Sequence, residues 1–202
     1  MSKYGSFAEL AAAERPGRDY RVRTSGPSGS DVLIIAPHGG LIEAGTSEIA
    51  GLIAAEDYRL FSFEGLNPRG SNRDLHITSH RFDHPECLAL ASRANVVLSV
   101  HGCLGAARVH IGGLDTELTD ELAGSLRTAG FPIEPASERY PGRHPLNICN
   151  RGLRGKGAQL EITYDLRAAA ESRAAIAGAV RGALARYFGT SSGLTSPQSG
   201  PR

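Results

Sequence analysis

The sequence predicts an α/β fold, a single-domain three-layer sandwich built around a mixed, largely parallel sheet. Two observations support this class. Apolar, β-branched runs alternate along the chain with amphipathic helical patterns, which is the order of elements in α/β proteins. Two of these runs, residues 32–36 and 96–100, are apolar at almost every position, as buried strands of a parallel sheet are. A chain of 202 residues is long enough to bury such a core.

The individual elements follow from periodicity and from residues that cap helices or form turns. A helix is expected where a capping residue precedes apolar residues spaced i, i+3 and i+4, and a strand where apolar residues alternate or run together. On these grounds we expect helices at 6–15, from Thr46 (as N-cap) onward, at 83–94, at 115–129 and at 166–188. We expect strands at 19–24, 32–36, 59–63, 96–100, 107–111, 131–134 and 158–163, with 107–111 as a candidate antiparallel edge strand.

Two segments lie outside this alternation. Residues 135–157 are rich in Gly, Pro, Arg and Asn, and a loop of that length inside a compact domain is typically functional or mobile. Residues 189–202 are mostly Gly, Ser, Thr and Pro, a composition that predicts a disordered tail. The folded part of the chain is therefore expected to be a single domain of residues 1–188.

Composition argues against several classes of function. The 22 basic residues nearly balance the 21 acidic ones, so the basic excess that marks nucleic-acid binding is absent. No apolar run approaches the roughly 20 residues of a membrane-spanning helix, and the first residues lack the apolar stretch of a secretory signal. Three cysteines without CxxC spacing argue against a disulfide framework. We expect no nucleic-acid or membrane partner. We expect a monomer that is cytoplasmic as synthesised and that cell lysis could release.

Three predicted strands end in, or carry, side chains suited to metal chemistry. His38 follows the first buried strand in a Pro-His-Gly-Gly run with Glu43 five residues later, and His101 follows the second. Glu161 lies within the predicted strand 158–163. The carboxyl ends of parallel strands meet at one edge of a sheet. Two histidines and a glutamate are a recurrent ligand set of catalytic zinc, and a further carboxylate such as Glu161 can act as general base.

Each of these features also has a plain structural explanation. A lone histidine after a strand is more often hydrogen-bonded or exposed than a ligand, and Pro-His-Gly-Gly can be only a tight turn. Two His-Gly pairs at strand ends favour the metal site, and so does Glu161, because a carboxylate in an apolar strand is costly unless it is paired or functional. The glycines after each histidine are expected to let the backbone turn sharply behind the ligand.

Seven motifs, in order along the chain from about Tyr20 to Arg167, carry a family resemblance. They are Ala36-Pro37-His38-Gly39-Gly40-x-Ile42-Glu43-x-Gly45-Thr46, Asn72-Arg73-x-Leu75-His76-Ile77-Thr78-Ser79, Phe82-Asp83, Val100-His101-Gly102, Ile111-Gly112-Gly113-Leu114-Asp115, Asn147-Ile148-x-Asn150 and Gln159-Leu160-Glu161-Ile162. With them the chain resembles the poly-γ-glutamate hydrolases of bacteriophages and bacilli. The resemblance implies a zinc-carboxypeptidase-like fold, and hydrolysis of γ-glutamyl amide bonds in poly-γ-glutamate by a zinc-bound water.

The resemblance also implies His38, Glu43 and His101 as the zinc ligands and Glu161 as the general base. One departure from zinc carboxypeptidases is that four residues, instead of two, separate His38 from Glu43. The longer spacing does not specify how the Glu43 carboxylate is oriented.

The substrate implied by this resemblance is a polyanion. Positive side chains near the metal would position it and would stabilise the oxyanion that develops in the reaction. Arg73, in the second motif, is the first candidate for both roles, since an arginine can bind a carboxylate with two parallel hydrogen bonds. Its neighbour Asn72 is a further expected substrate-binding residue. Arg151, beside Asn150, is the second. The loop 139–156 holds six Arg, Lys or His residues, and it is a candidate basic rim for the polymer, although charged loops are ordinarily just solvated.

His76, His80 and His84 recur every four residues, but they are not expected to share a helix face. Ile77-Thr78 and the capping residue Asp83 interrupt any helix in that stretch. His76 belongs to a matched motif and is expected to support the metal ligands. His80 and His84 depart from the family pattern and are expected at the surface.

Two other functions remain open on the sequence alone. An amidase of small N-acylated amino acids, such as acyl-glutamate or acyl-aspartate, would use the same catalytic groups in a closed pocket. A non-catalytic polyglutamate-binding or metal-storage module would keep the ligands without turnover. A serine or cysteine hydrolase is disfavoured, because the chain has no GxSxG motif and no cysteine in a nucleophile context.

Overall fold

A computed structural model of the protein describes residues 2–68 and 70–191. The strands in this part of the chain are β1 (Tyr20–Ser25), β2 (Val32–Gly40), β3 (Arg59–Gly65), β4 (Val96–Cys103), β5 (Val109–Gly113), β6 (Ile133–Glu134) and β7 (Ala158–Thr163). They form one seven-stranded sheet in the order β1-β3-β2-β4-β7-β5-β6.

The sheet is mixed, with a parallel centre. Strands β3, β2, β4 and β7 pair in parallel, whereas β1 is antiparallel to β3 and β5 is antiparallel to β7. The short β6 pairs in parallel with β5 at the far edge. The predicted mixed, largely parallel sheet is confirmed, but β5 lies inside the sheet instead of at its edge, because β6 covers it.

Strand β2 lies where the connections of the chain diverge across the sheet. From β2 the chain passes to β3 on one side, and from β3 it returns to β4 on the other side of β2. Open α/β sheets bind ligands in the crevice outside the carboxyl ends of the strands at such a switch point. The carboxyl ends of β2 and β4 carry His38 and His101, so the fold brings the two predicted ligands to that crevice.

Helices cover both faces of the sheet. They are α1 (Phe7–Ala13), α2 (Thr46–Ala54), α3 (Pro85–Ala91), α4 (Thr116–Thr128), α5 (Tyr164–Ala168) and α6 (Ala170–Ser191). One core packs α2, α4 and α6 against sheet residues such as Ile34 and Leu98, and a second core packs α1 and α3 against residues such as Ile35 and Phe61. Because alternate residues of β2 enter opposite cores, residues 32–36 are apolar without interruption. The predicted three-layer sandwich is confirmed.

Three predicted helix bounds differ from the observed ones. The N-cap of α3 is His84 instead of the predicted Asp83, whose carboxylate accepts the N–H of Phe7 at 2.6 Å. The N-cap of α2 is Gly45, at a φ of 93°, and the Thr46 hydroxyl donates instead to the carbonyl of Glu43 at 2.8 Å. The predicted helix 166–188 is divided into α5 and α6, and α6 continues to Ser191, because extending a formed helix costs far less than starting one. The first three residues of the predicted tail are therefore helical, and 192–202 lie outside the described residues. In the described chain, no helix is long and apolar enough to cross a membrane.

Candidate active site

His38 and His101 meet at the ends of two neighbouring parallel strands. Strand β2 shifts its register against β3 between Ala36 and Gly39, and such a bulge can re-aim a side chain. The imidazoles of His38 and His101 are both 1% exposed, and their Nδ1 atoms lie 3.2 Å apart. Two predicted ligands that are 63 residues apart in sequence thus present the same ring nitrogen to one point.

Glu43 returns to His38 despite the long spacing between them. The Glu43 N–H donates to the His38 carbonyl at 3.0 Å, and the Thr46 hydroxyl donates to the Glu43 carbonyl. Within the Glu43 carboxylate, Oε1 lies 3.3 Å from Nδ1 of His38, and Oε2 accepts a 2.7 Å hydrogen bond from the N–H of Gly102. A backbone turn therefore closes the longer gap and aims the carboxylate at the histidines.

The second nitrogen of each histidine has a partner that the sequence did not reveal. Nε2 of His38 lies 2.7 Å from the carbonyl oxygen of Ile77, and Nε2 of His101 lies 3.0 Å from the hydroxyl of Ser99. A carbonyl only accepts hydrogen bonds, so Nε2 of His38 carries a proton, and Nδ1 is the nitrogen that would lose its proton to bind a metal. Outer partners of this kind orient metal-binding imidazoles.

The donor set fits a zinc ion. In a tetrahedral site with Zn–N bonds of about 2.0–2.1 Å, two ligand atoms lie roughly 3.3 Å apart. The separation of the two histidine Nδ1 atoms is 3.2 Å, and that between Nδ1 of His38 and Oε1 of Glu43 is 3.3 Å. Imidazole nitrogen and carboxylate oxygen are also the donor types that zinc accepts.

His76 is a second candidate for the third ligand position. Its ring stacks on His38 with centroids 3.9 Å apart, and its Nε2 lies 3.8 Å from Oε1 of Glu43. Potential ligand atoms of His38, Glu43 and His76 all lie within 4.8 Å of one another. His76 is thus in the site itself, where its side chain is 34% exposed.

The buried groups of this cluster shift one another's pKa values, so that Glu43 is ionised while His101 and His76 are neutral. Burial alone would raise the pKa of Glu43, but the charge of His38 and their hydrogen bond lower it to about 2. Burial opposes protonation of His38, yet the Glu43 carboxylate raises its pKa above the ordinary value. Burial, and then the charge of His38, lower the pKa of His101 to about 3 and that of His76 to about 4. The cluster therefore carries one carboxylate and two neutral imidazoles that are suited to metal binding.

Glu161 lies beside this cluster on the next strand. On β7 it is the direct partner of His101 on β4, and of His110 on β5. Burial, and then the charge of Glu43, raise the pKa of Glu161 to about 9, while Arg167 and Arg139 oppose that shift. A carboxyl group with a perturbed pKa next to candidate ligands is typical of catalytic acid–base residues.

A cavity of about 660 Å³ opens beside the cluster. Its lining includes Glu43 and His76 from the cluster, and the guanidinium-bearing side chains of Arg73 and Arg167. Arg73 is exposed at this cavity, as a substrate-binding role requires. Arg167 is only 5% exposed and was not among the predicted site residues. Its position in the first turn of a predicted helix contained no signal that it would point into the cavity.

Two other predicted substrate-binding residues do not line this cavity. The Asn72 amide is bonded to the backbone of Asn67, through Oδ1 to the N–H at 3.1 Å and through Nδ2 to the carbonyl at 2.6 Å. Arg151 ends the short 3-10 turn Ile148–Asn150. The structure therefore brings Arg73 to the cluster, and it places Asn72 in a loop-holding role.

Other predicted positions have mixed outcomes. His80 is exposed as expected. The surface prediction for His84 is wrong, because its ring is 8% exposed and packs 4.2 Å from the ring of Phe7. In the candidate basic rim, Arg154 and Lys156 each lie 3.3 Å from the buried carboxylate of Asp115, so these two charges are used inside the fold.

Comparison with known proteins places this chain in a family. A family model described as poly-gamma-glutamate hydrolase matches residues 4–182. From Bacillus subtilis (strain 168), the SPbeta prophage-derived UPF0714 protein YoqZ is 40% identical over 169 residues, which are 82% of this chain and 60% of YoqZ. The UPF0714 protein YndL is 39% identical over 167 residues, which are 81% of this chain and 65% of YndL. The chain thus spans less than two thirds of the length of these curated relatives.

Solved structures agree with this placement. A bacteriophage poly-gamma-glutamate hydrolase superposes with a TM-score of 0.89 at 30% identity, covering 94% of this chain and 100% of that one. A zinc-free form of YndL superposes with a TM-score of 0.81 at 34% identity, covering 95% and 99%. An N-formylglutamate amidohydrolase from Ralstonia eutropha, at a TM-score of 0.57 and 12% identity over 86% of this chain and 99% of that one, shares the fold. The chain belongs to the poly-γ-glutamate hydrolase family.

Proposed function

We propose that the chain is a zinc-dependent hydrolase of the γ-glutamyl amide bonds in poly-γ-glutamate. His38, Glu43 and His101 would hold the metal. The observation that carries this proposal is the donor geometry, two histidine Nδ1 atoms and a carboxylate oxygen at 3.2 and 3.3 Å, at the switch point of the sheet. The family match and the relatives' names support the substrate, and the zinc-free form of YndL supports the metal.

Bound zinc would supply Lewis-acid polarisation of the scissile carbonyl and would acidify a water molecule. Glu161 is the group of this chain that moves the proton. Its carboxylate takes the proton that the attacking water loses, and it delivers that proton to the nitrogen of the leaving amine. Because Glu161 must be ionised to do this, positive charge added at the neighbouring donors is expected to lower its pKa from about 9.

Arg73 is the proposed contact for the polymer at the mouth of the cavity. Its side chain is exposed and lines the same cavity as Glu43. Poly-γ-glutamate carries one carboxylate on each unit, and an exposed guanidinium can bind a carboxylate with two parallel hydrogen bonds. Arg73 would therefore hold the chain of the substrate near the metal without belonging to the buried cluster.

Viscosity of a high-molecular-weight poly-γ-glutamate solution provides the test. We expect a steady fall in viscosity with the zinc-loaded protein, and loss of that activity when a chelator removes the metal. Glu161→Gln should keep stoichiometric zinc and lose nearly all turnover, typically 10²–10⁴-fold for a proton-transfer group. Glu121→Gln is the matched control, because Glu121 pairs with Arg186 on the surface of α4, away from the cavity.

The outcomes separate this proposal from its alternatives. Unchanged viscosity together with turnover of a small acyl-glutamate would favour the amidase of small substrates. Polymer binding with zinc bound but no turnover would favour a non-catalytic module. Full activity in Glu161→Gln would remove Glu161 from the mechanism, and chelator-insensitive activity in a zinc-free preparation would refute the metal assignment.

A further inference from the structure

Arg167 is a buried cation without an acidic partner in the described part of the chain. It is 5% exposed, and across residues 2–68 and 70–191 it forms no ion pair within 4 Å. Its Nε donates to the carbonyl of Ile162 at 2.8 Å, and its Nη1 donates to the carbonyl of Ala44. A guanidinium has five N–H donors, so these two bonds fix its plane and leave three donors for a ligand.

Gly102 provides the space in which this guanidinium lies, and Gly45 provides the space for the backbone and Cβ of Arg167. A Cβ atom on Gly102 would be 2.5 Å from Cζ and 2.7 Å from Nη2 of Arg167, and a Cβ on Gly45 would be 2.9 Å from Cβ of Arg167. Gly102 follows the candidate ligand His101, and its N–H holds Oε2 of Glu43. The Arg167 guanidinium therefore packs against the backbone of β4, which carries His101, and lines the cavity.

A buried, unpaired guanidinium at a cavity wall is an unsatisfied site for an anion. Burying a charge is costly unless an opposite charge or polar groups compensate it. Two carbonyl oxygens, with the charges of Glu43 and Glu161 more than 4 Å away, compensate Arg167 only in part. The fork of parallel N–H groups on arginine matches a carboxylate, which accepts both.

Part of the cavity lining near Arg167 is apolar. Leu41, Leu104 and Tyr164 line the same cavity and are 48%, 75% and 56% exposed. The Tyr164 ring centroid lies 5.7 Å from Cζ of Arg167. In a γ-linked glutamyl chain, two methylene groups lie in the main chain and a carboxylate sits on the carbon next to the amide nitrogen. A fixed cation beside apolar side chains is complementary to that alternation.

We propose that Arg167 binds an α-carboxylate next to the scissile amide and thereby selects γ-linked glutamate. In an α-linked glutamate chain the free carboxylate lies at the end of the side chain, three carbons from the main-chain nitrogen, so its charge lies farther from the scissile amide. The inference rests on the proposed hydrolase function, and it assigns a substrate-binding role to a residue that the sequence motifs did not single out.

The test compares two substrates with the same backbone. One is a γ-linked hexamer of glutamate, and the other is the same hexamer with every α-carboxylate converted to a carboxamide. Wild type should cleave the carboxylate hexamer with the higher kcat/KM. Arg167→Gln should lower kcat/KM about 10- to 100-fold on the carboxylate hexamer, as expected for a lost charge-assisted hydrogen bond, and should change it less than threefold on the carboxamide hexamer.

Control variants separate substrate binding from structural support. Arg181→Gln removes an arginine that also donates to a backbone carbonyl, that of Ile53 at 2.9 Å, between α2 and α6, so it should affect both hexamers equally and slightly. If Arg167→Gln does not fold, Arg167→Lys keeps the charge, loses the fork, and should lower kcat/KM on the carboxylate hexamer alone. Zinc content and thermal midpoint are measured for every variant.

The outcomes distinguish carboxylate binding by Arg167 from a structural role and from failure of the proposed function. An equal loss on both hexamers in Arg167→Gln or Arg167→Lys would overturn the assignment and make Arg167 structural. Equal cleavage of both hexamers by wild type would overturn it without any variant. Cleavage of neither hexamer, nor of the polymer, by the zinc-loaded wild type would instead contradict the proposed function.

Discussion

Replacing Ser99 with alanine tests which histidine completes the metal site. The Ser99 hydroxyl lies 3.0 Å from Nε2 of His101, and Ser99 is fully buried within β4. If His101 binds zinc through Nδ1, its Nε2 must carry a proton, and the hydroxyl is the acceptor for that N–H. The variant removes one oxygen atom and leaves the backbone, the strand pairing and all candidate ligands in place.

The expected magnitude follows from one lost hydrogen bond. A buried donor that loses its partner costs about 1–3 kcal/mol. Loss of an outer partner of a metal-binding histidine typically lowers metal affinity about 10–100-fold, which is about 1.4–2.8 kcal/mol at about 1.4 kcal/mol per tenfold change. The two ranges agree, so we expect the zinc Kd of Ser99→Ala to rise about 10- to 100-fold.

Competition with a chromophoric chelator measures that Kd on metal-free protein, independently of catalysis. Ser62→Ala is the matched control, because Ser62 is equally buried on β3 and its hydroxyl contacts Ser47 and Glu64, at 3.2 and 3.0 Å, without touching a histidine. His76→Gln should change the Kd less than Ser99→Ala does. An unchanged Kd in Ser99→Ala, together with a loss of 100-fold or more in His76→Gln, would refute the reasoning and make His76 the third ligand.

Three further predictions concern stability and the space beside His101. Because the folded protein holds a proton on Glu161 up to a pKa of about 9, against 4.5 when unfolded, metal-free protein should lose stability as pH rises from about 5 to 9. The slope should reach at most about 1.4 kcal/mol per pH unit, and in urea unfolding Glu161→Gln should lack it; parallel profiles for the two proteins would contradict this. Asp115→Ala should cost about 3–5 kcal/mol in the same assay with zinc affinity unchanged, since this buried carboxylate accepts the Tyr187 hydroxyl at 2.8 Å and faces two cations; a loss below about 1 kcal/mol would show that these contacts do not stabilise the fold. Gly102→Ala should displace the Arg167 guanidinium, whose Cζ would lie 2.5 Å from the new Cβ, and should lower kcat/KM on the carboxylate hexamer more than on the carboxamide hexamer; equal losses would show that the clash disturbs the metal site instead.

The sheet was predictable where burial alone decides the pattern. Strand β7 has the predicted bounds, Ala158–Thr163, because its apolar residues enter one core and alternate with polar residues, and a glycine precedes it. Strand β2 was predicted to end at residue 36, but it continues to Gly40. Pro37 and the glycines indicate a turn by composition, whereas in the sheet they form a bulge that still pairs with β3. Pairing across strands is a long-range property, so local composition could not distinguish a turn from a bulge.

In the candidate site, local sequence was likewise enough to predict the candidate ligands but not the groups that hydrogen-bond to them. His38, Glu43 and His101 could be proposed because each follows a strand whose carboxyl end the fold class locates. The partners Ile77 and Ser99 could not, because hydrogen bonds of this kind depend on which loop packs behind the ring.

Gly102 shows how a local explanation can be incomplete and still contain a usable signal. It was predicted to let the backbone turn behind His101. It lies inside β4 instead, and only Cys103 follows it before the strand ends. The guanidinium of Arg167 occupies the space that a Cβ on Gly102 would take. That guanidinium also donates to the carbonyl of Ala44, which is 123 residues away from Arg167 in sequence. A glycine within a strand often marks close approach by another group. The pattern His-Gly at a strand end therefore predicts a ligand and, beside it, space for a second functional side chain, which only the fold can identify as Arg167.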